Sequence, residues 1–350
     1  MTTLAVPVSE QEFVPDTEPL ATWWRQLTPG TFYWRCLLAA RHLPGRVNAL
    51  RATDFVVGED DEPRLLRQHG ASIWQFSGNA TRALIMAQTQ AHGIKVLMEV
   101  DDNYLVPPPH IPNTRSSWTT TLDRTELDHY SHQAHRRIVQ WVDGVIVSTP
   151  YLADVYTKAT SVPVFVCPNS VDPDDWPEIE PRERTVTVGY AGSASHQYDL
   201  HLVERALDSA HRSGARLVKL GAGTAGWRWP HKQVPWTDDL AAYRRSLQNI
   251  DIGLCPVRRG PWQDGKSDIK AMEYVMAGAI PIVQRDSPCY QDWASRTLSA
   301  NSKTDWDKAV REALSLTPDE RHSLWAGLHD WVMAEKTIGS HIHKWREAVQ

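Results

Sequence analysis

Short apolar runs alternate with longer segments of helical period along almost the whole chain. Parallel sheets with crossover helices produce that pattern, and few other folds can. In the first half, strands are expected at 22–27, 47–52, 72–76, 95–100, 144–148 and 164–167, with helices at 32–42, 81–92 and 124–142. From Asp172 to Arg184 proline and charge concentrate without an apolar period, and the segment reads as a linker. The alternation then restarts, with strands at 185–190, 216–220, 233–234, 252–256 and 280–283, and helices at 199–213, 238–248 and 267–277. Leu240, Tyr243, Leu247 and Ile250 recur at steps of three or four, a core-facing stripe. From Trp306 the chain reads as helical, broken at Thr317-Pro318 and weak at Gly339. The expectation is an α/β protein with two open parallel sheets facing a cleft, and ligands at the carboxyl ends of strands.

The 350 residues suit two domains. With 37 Lys and Arg against 42 Asp and Glu, the net charge of −5 argues against a nonspecific nucleic-acid binder, although a local basic groove stays open. No apolar stretch is long enough to cross a membrane, and Met1-Thr2-Thr3-Leu4 does not begin a secretory signal, so a cytoplasmic protein is expected. The four cysteines, Cys36, Cys167, Cys255 and Cys289, are far apart and form no C-x-x-C pair; they read as reduced packing residues. Sixteen tryptophans against five phenylalanines suit carbohydrate faces and cores alike. No G-x-S-x-G, Walker loop or G-x-G-x-x-G is present, which weakens hydrolase, NTPase and dinucleotide readings.

Two segments carry the chemistry. Val188-Gly189-Tyr190-Ala191-Gly192-Ser193-Ala194-Ser195-His196 is a strand running into a small-residue turn. Gly192 and Ser193 let a phosphate approach the backbone, with Ser195 and His196 as further donors; a tight connection would look the same. In the segment from Lys266 to Val283, Lys266 and Ser267 open a helix at an anion-binding start. Glu273 lies two turns on, on the same side as Lys266, where a carboxylate can hold a ribose diol; a solvated Lys/Glu face is the plainer alternative.

Those two segments, with Asp251-Ile252-Gly253-Leu254-Cys255-Pro256 and Pro168-Asn169-Ser170-Val171-Asp172, resemble GT-B glycosyltransferases close to the family 4 type. The likeness is good over 164–283. Gly30-Thr31-Phe32-Tyr33-Trp34-Arg35 and Glu99-Val100-Asp101-Asp102-Asn103 extend it into the first half. It implies a GT-B fold of two Rossmann-like domains at 1–178 and 179–335, with 336–350 a C-terminal helix crossing back to the first. It also implies transfer of a sugar from a nucleotide-diphosphate sugar to a hydroxyl, with retention and without metal or other cofactor. Glu273 matches the residue that holds the donor ribose. Lys266, Ser267 and Lys270 lie in the diphosphate segment, and Gly192 and Ser193 match the second phosphate turn. Asp101, Asp102 and His196 are the catalytic candidates, and Arg35 is placed to neutralise donor phosphate. The sequence departs from the family at Gly265, where an earlier glutamate is usual, and has His196 near the place of a usual arginine.

The acceptor stays open among a glycan, a protein and a hydroxylated DNA base. Enzymes of this kind occur in viruses, where the location would be the host cytoplasm; DNA would need a groove built from Arg35, Arg115, Arg124, Arg136 and Arg137. A noncatalytic nucleotide-sugar-binding relative is the other class, motivated by Gly265. His129, His132 and His135 drift around a helix and read as a polar face rather than a zinc site. Arg258 and Arg259 beside Trp262 suit an anion or a solvated loop; Trp227, Trp229 and Trp236 suit a base-binding loop or a core.

Overall fold

A computed structural model describes residues 21–25, 29–44, 47–51, 70–75, 80–106, 132–179, 185–192, 196, 198–221 and 227–350. Contacts divide the chain into two compact units, one of residues 1–169 with 338–350 and one of residues 170–337.

In the first unit, β1 (Ala21–Arg25) leads to a helical run α1 over 29–42, whose middle, Tyr33–Leu37, widens to a π-helical turn. There follow β2 (Val47–Arg51), β3 (Ala71–Gln75), α2 (Ala80–Ala91), β4 (Val96–Val100), α3 over 132–138, β5 (Gly144–Val147), α4 (Pro150–Ala159) and β6 (Val164–Val166). All pairings are parallel, in the order β2-β1-β3-β4-β5-β6. Every residue of β3, β4 and β5 is buried, as expected of strands covered on both faces, and this is why they read as unbroken apolar runs. Trp74, Val96, Met98, Val145 and Val147 pack with Ile138 of α3 and Leu152 and Tyr156 of α4.

The second unit contains β7 (Thr187–Gly192), α5 (Glu204–Arg212), β8 (Arg216–Gly221), β9 (Lys232–Val234), α6 (Leu240–Leu247), β10 (Ile252–Cys255), α7 (Ile269–Met276), β11 (Ile280–Gln284) and β12 (Ser299–Ala300). Its parallel order β12-β11-β10-β7-β8-β9 is that of a doubly wound sheet, with strand order reversing between β7 and β10. Helices α8 (Lys303–Ser315) and α9 (Pro318–Glu335) complete the unit, each opened by a capping box, Ser302 with Asp305 and Thr317 with Glu320. Thr317-Pro318 is therefore the start signal of α9 as well as the break before it. Helix α10 (Ile338–Val349) contains Gly339; the second interruption falls instead at Lys336-Thr337, where Thr337 bridges Val171.

The segment expected as a linker is structured as far as it is described. The Asp172 carboxylate accepts from Asp174 N–H, Arg244 of α6 donates to Asp175 O at 2.9 Å, and Ile179 packs where a Gly278 side chain would stand. Residues 170–179 thus pack with the second unit, ahead of the expected division at 178/179. Proline and charge there mark a polar strap rather than a free tether.

Candidate donor site

The reversal between β7 and β10 fixes where the second unit can receive a ligand, and two close approaches shape that edge. A Cβ at Gly253 in β10 would stand 2.3 Å from the Tyr274 ring, so α7 lies tight on the sheet and the Tyr274 hydroxyl accepts from Ala191 N–H at 2.8 Å. Gly221 ends β8 at φ +103, and a Cβ there would meet Gly192 O at 2.2 Å, a position only glycine fills. Gly192 therefore closes β7 with bare backbone. Ser193 and Ser195 lie outside the described residues.

Beside Gly192 and Tyr190 the structure places Lys270, and the charges of Lys270 and Lys266 reach His196. Lys270, in the first turn of α7, places Nζ 4.3 Å from the centre of the Tyr190 ring. Burial lowers its pKa, while Asp199 and Glu273 nearby oppose that shift. The Tyr190 hydroxyl, on a side chain 1% exposed, has no hydrogen-bond partner among the described residues. Lys266 lies with Nζ 5.4 Å from the centre of the Trp262 ring, and Ser267 is half-buried before α7. His196 Nδ1 meets Asp199 Oδ2 at 2.9 Å, which leaves Nε2 for a ligand. Burial, then the Lys270 charge, push the His196 pKa down to about 4, so the ring is neutral at physiological pH. Asp199 Oδ1 also accepts from Arg258 N–H at 2.9 Å, joining the turns after β7 and β10 through one buried carboxylate.

Glu273 is buried on α7 and accepts from the Tyr243 hydroxyl at 2.9 Å. Burial pushes its pKa up to about 7, against the Tyr243 bond and the Arg244 and Lys270 charges. This is not a solvated Lys/Glu face. The Trp236 ring lies 6.5 Å from that of Tyr243 and is 50% exposed, whereas Trp227 and Trp229 enter the core. Beside Gly265, Asp264 is gripped by Arg259 through two bonds of 2.6 and 3.0 Å. Arg259 is thereby held at the surface, where it also donates to Asp286 O.

The acceptor-side candidates belong to the first unit. Asp101 and Asp102 are half-buried at the carboxyl end of β4, with Asp101 accepting from the Tyr104 hydroxyl at 2.8 Å and Asp102 O from Tyr104 N–H at 2.9 Å. Arg35 corrects the expectation of a phosphate ligand: its side chain is 0% exposed and ion-paired with Glu99 at 2.7 Å. It also donates to Cys167 O and Asn169 Oδ1 and stacks 4.8 Å from the Trp345 ring centre. Burial pushes the Glu99 pKa up to about 7 despite Arg35, with Asp101 adding to the rise.

The basic groove considered for DNA loses Arg35 in this way, and Arg136 donates to Leu105 O at 2.8 Å; Arg115 and Arg124 lie outside the described residues. His132 and His135 turn inward instead of forming a polar face, bonded to Tyr104 O and the Tyr156 hydroxyl; His129 lies outside the described residues. Among the described residues no three His, Cys, Asp or Glu are placed to share a metal ion. All four cysteines are free, and burial pushes the Cys167 and Cys255 thiols up to about 12. Among the described residues no helix is long and apolar enough to cross a membrane.

Sequence reasoning assigned no role to the Tyr190 and Tyr243 hydroxyls or to Asp199. The stripe through Tyr243 was visible, but not that its hydroxyl would reach a carboxylate on another helix.

No protein-family model and no curated protein sequence matches the chain. Among solved structures it is similar to sucrose-phosphate synthase from Thermosynechococcus elongatus, at TM-score 0.60 and 13% identity over 95% of this chain and 98% of that one. It is similar to α,α-trehalose 6-phosphate synthase from Burkholderia multivorans, at TM-score 0.52 and 12% identity over 91% and 80%. The catalytic domain of starch synthase IV from Arabidopsis thaliana, bound to ADP and acarbose, matches at TM-score 0.54 and 12% identity over 85% and 78%. These likenesses show the fold: two Rossmann-like units in the GT-B arrangement of elements.

Proposed function

We propose that this chain is a glycosyltransferase that moves a sugar from a nucleotide-diphosphate sugar to a hydroxyl acceptor, with retention of configuration and no metal. The observation that carries the reading is the edge of the second sheet, where Lys266, Ser267, Lys270 and the buried Glu273 share one helix and its approach, beside the bare Gly192 turn. The structural neighbours include a starch synthase bound to ADP, which supports a nucleotide there.

Glu273, fixed by Tyr243, accepts from the ribose hydroxyls, and the exposed Trp236 face receives the base. Lys266, Lys270, Ser267 and the start of α7 hold the diphosphate. In transfer, the acceptor oxygen bonds to the anomeric carbon as the bond from that carbon to the diphosphate oxygen breaks. The negative charge left on the diphosphate grows toward fixed cations and the positive end of α7, which lowers the barrier without reorganisation. Retention follows if the departing oxygen takes the acceptor proton on the donor's own face. His196, neutral and with its Nδ1–H held by the Asp199 carboxylate, presents the Nε2 lone pair and accepts from a sugar hydroxyl. Asp101 or Asp102 orients the acceptor hydroxyl, which is a glycan, a protein or a modified base.

A noncatalytic nucleotide-sugar-binding role is favoured by one observation: Gly265 supplies no carboxylate and Arg259 occupies Asp264. Slow hydrolysis of UDP-, GDP-, ADP- and dTDP-sugars separates the two. Turnover of one donor that disappears in Glu273→Ala supports the transferase. Donor binding without turnover, even with acceptor extracts, supports the binding module, and neither binding nor turnover overturns the Glu273 assignment.

A further inference from the structure

Asp268 immediately precedes α7, where its charge belongs by every local preference and yet stands in the way of an anion. A carboxylate at a helix start is drawn to the first-turn N–H groups, the same groups a phosphate would use. The Asp268 side chain caps none of them. Its Oδ2 turns aside to accept from Trp293 Nε1 at 2.9 Å and pairs with Lys336 Nζ at 3.0 Å. Both partners are themselves fixed. Trp293 is 0% exposed and edge-on to Trp331 at 4.7 Å, and Lys336 Nζ lies 5.2 Å from the Trp331 ring centre, with Asp292 a further 3.7 Å contact. A separate sign that this edge awaits a polar ligand is the Tyr190 hydroxyl, buried beside Gly192 and Lys270 without a partner among the described residues.

We propose that Trp293 and Lys336 are positioning residues that hold the Asp268 carboxylate off the start of α7, so that this turn and Lys270 are left to the donor diphosphate. The proposal rests on the donor-site reading above. Released, Asp268 swings back over the first turn and sets its negative charge against the incoming phosphates. Neutralising it by substitution then makes the clamp unnecessary.

The test is titration calorimetry of UDP, GDP, ADP and dTDP, each alone, against the full chain, Lys336→Met, Asp268→Asn and the double variant, with a thermal melt of each. For the nucleotide that the unaltered chain binds, Lys336→Met is expected to weaken binding roughly tenfold, and the double variant to recover nearly all of it. A merely structural role for Lys336 would not be rescued by removing its partner's charge. Unchanged affinity in Lys336→Met, or a double variant as weak as the single, overturns the proposal. If Lys336→Met does not fold, Trp293→Phe is read with and without Asp268→Asn by the same criterion. If the unaltered chain binds none of the four nucleotides, the donor-site reading itself fails, and the proposal with it.

Discussion

Glu273 shows how a single carboxyl group ties stability to the site. Its pKa rises from an ordinary carboxylate value to about 7, so the folded chain holds the proton more tightly than the unfolded chain. Its contribution is complete below the unfolded pKa and is lost as pH rises through about 7. Glu273→Gln keeps an acceptor for Tyr243 and removes the charge. Thermal melts are expected to show the variant more stable than the unaltered chain at pH 8, by up to about 2–3 kcal/mol, with the difference shrinking toward pH 5. A gain independent of pH would mean the carboxyl is not desolvated. His196 has the opposite sign: depressed to about 4, it adds stability above the ordinary histidine range that is lost as pH falls through about 4. At this scale the sequence was partly legible. Glu273, Lys266, Ser267 and Lys270 could be picked out because their spacing on one helix is local. Arg35 could not be placed, because its burial depends on Glu99, Cys167, Asn169 and Trp345, which are distant in the chain.

Among the elements, α7 carries the most, and its seating depends on a missing side chain. Gly253 leaves β10 flat where Tyr274 crosses it, and Tyr274 reaches on to Ala191 in β7. Gly253→Ala is expected to cost about 1–3 kcal/mol, since the ring has to move and takes α7 with it. The same shift displaces Lys270 and Glu273, so donor affinity should fall together with the melting temperature. A variant that melts normally and binds normally would show that Tyr274 has room to adjust. Strands were the most legible elements, since burial on both faces writes them as unbroken apolar runs. The packing within the expected linker was not legible because its partners, Arg244 and Gln248, lie far along the chain.

For the molecule as a whole, the notable fact is that α10 counts with the first unit although it follows the second in the chain. Ile338, Trp345, Ala348 and Val349 are all buried, and Trp345 covers the Arg35 guanidinium. Trp345→Ala is expected to cost about 3–5 kcal/mol and to act on the first unit. Hydrogen exchange should then quicken in β3, β4 and β5 while β7, β10 and β11 keep their protection; equal loss in both units would show that they unfold together. The alternation of elements foretold two parallel sheets. It did not show that Trp345 would close over the buried Arg35–Glu99 pair.

That return has a consequence for the order in which the protein is made. On the ribosome the strands of the first unit emerge first, but the helix that seals Arg35 and Glu99 emerges only after the entire second unit. Residues 170–337 can thus reach their finished state while the earlier-made unit still waits, its ion pair uncovered, for α10 to follow them. Of the two units, the one whose strands are made earlier is the one completed later.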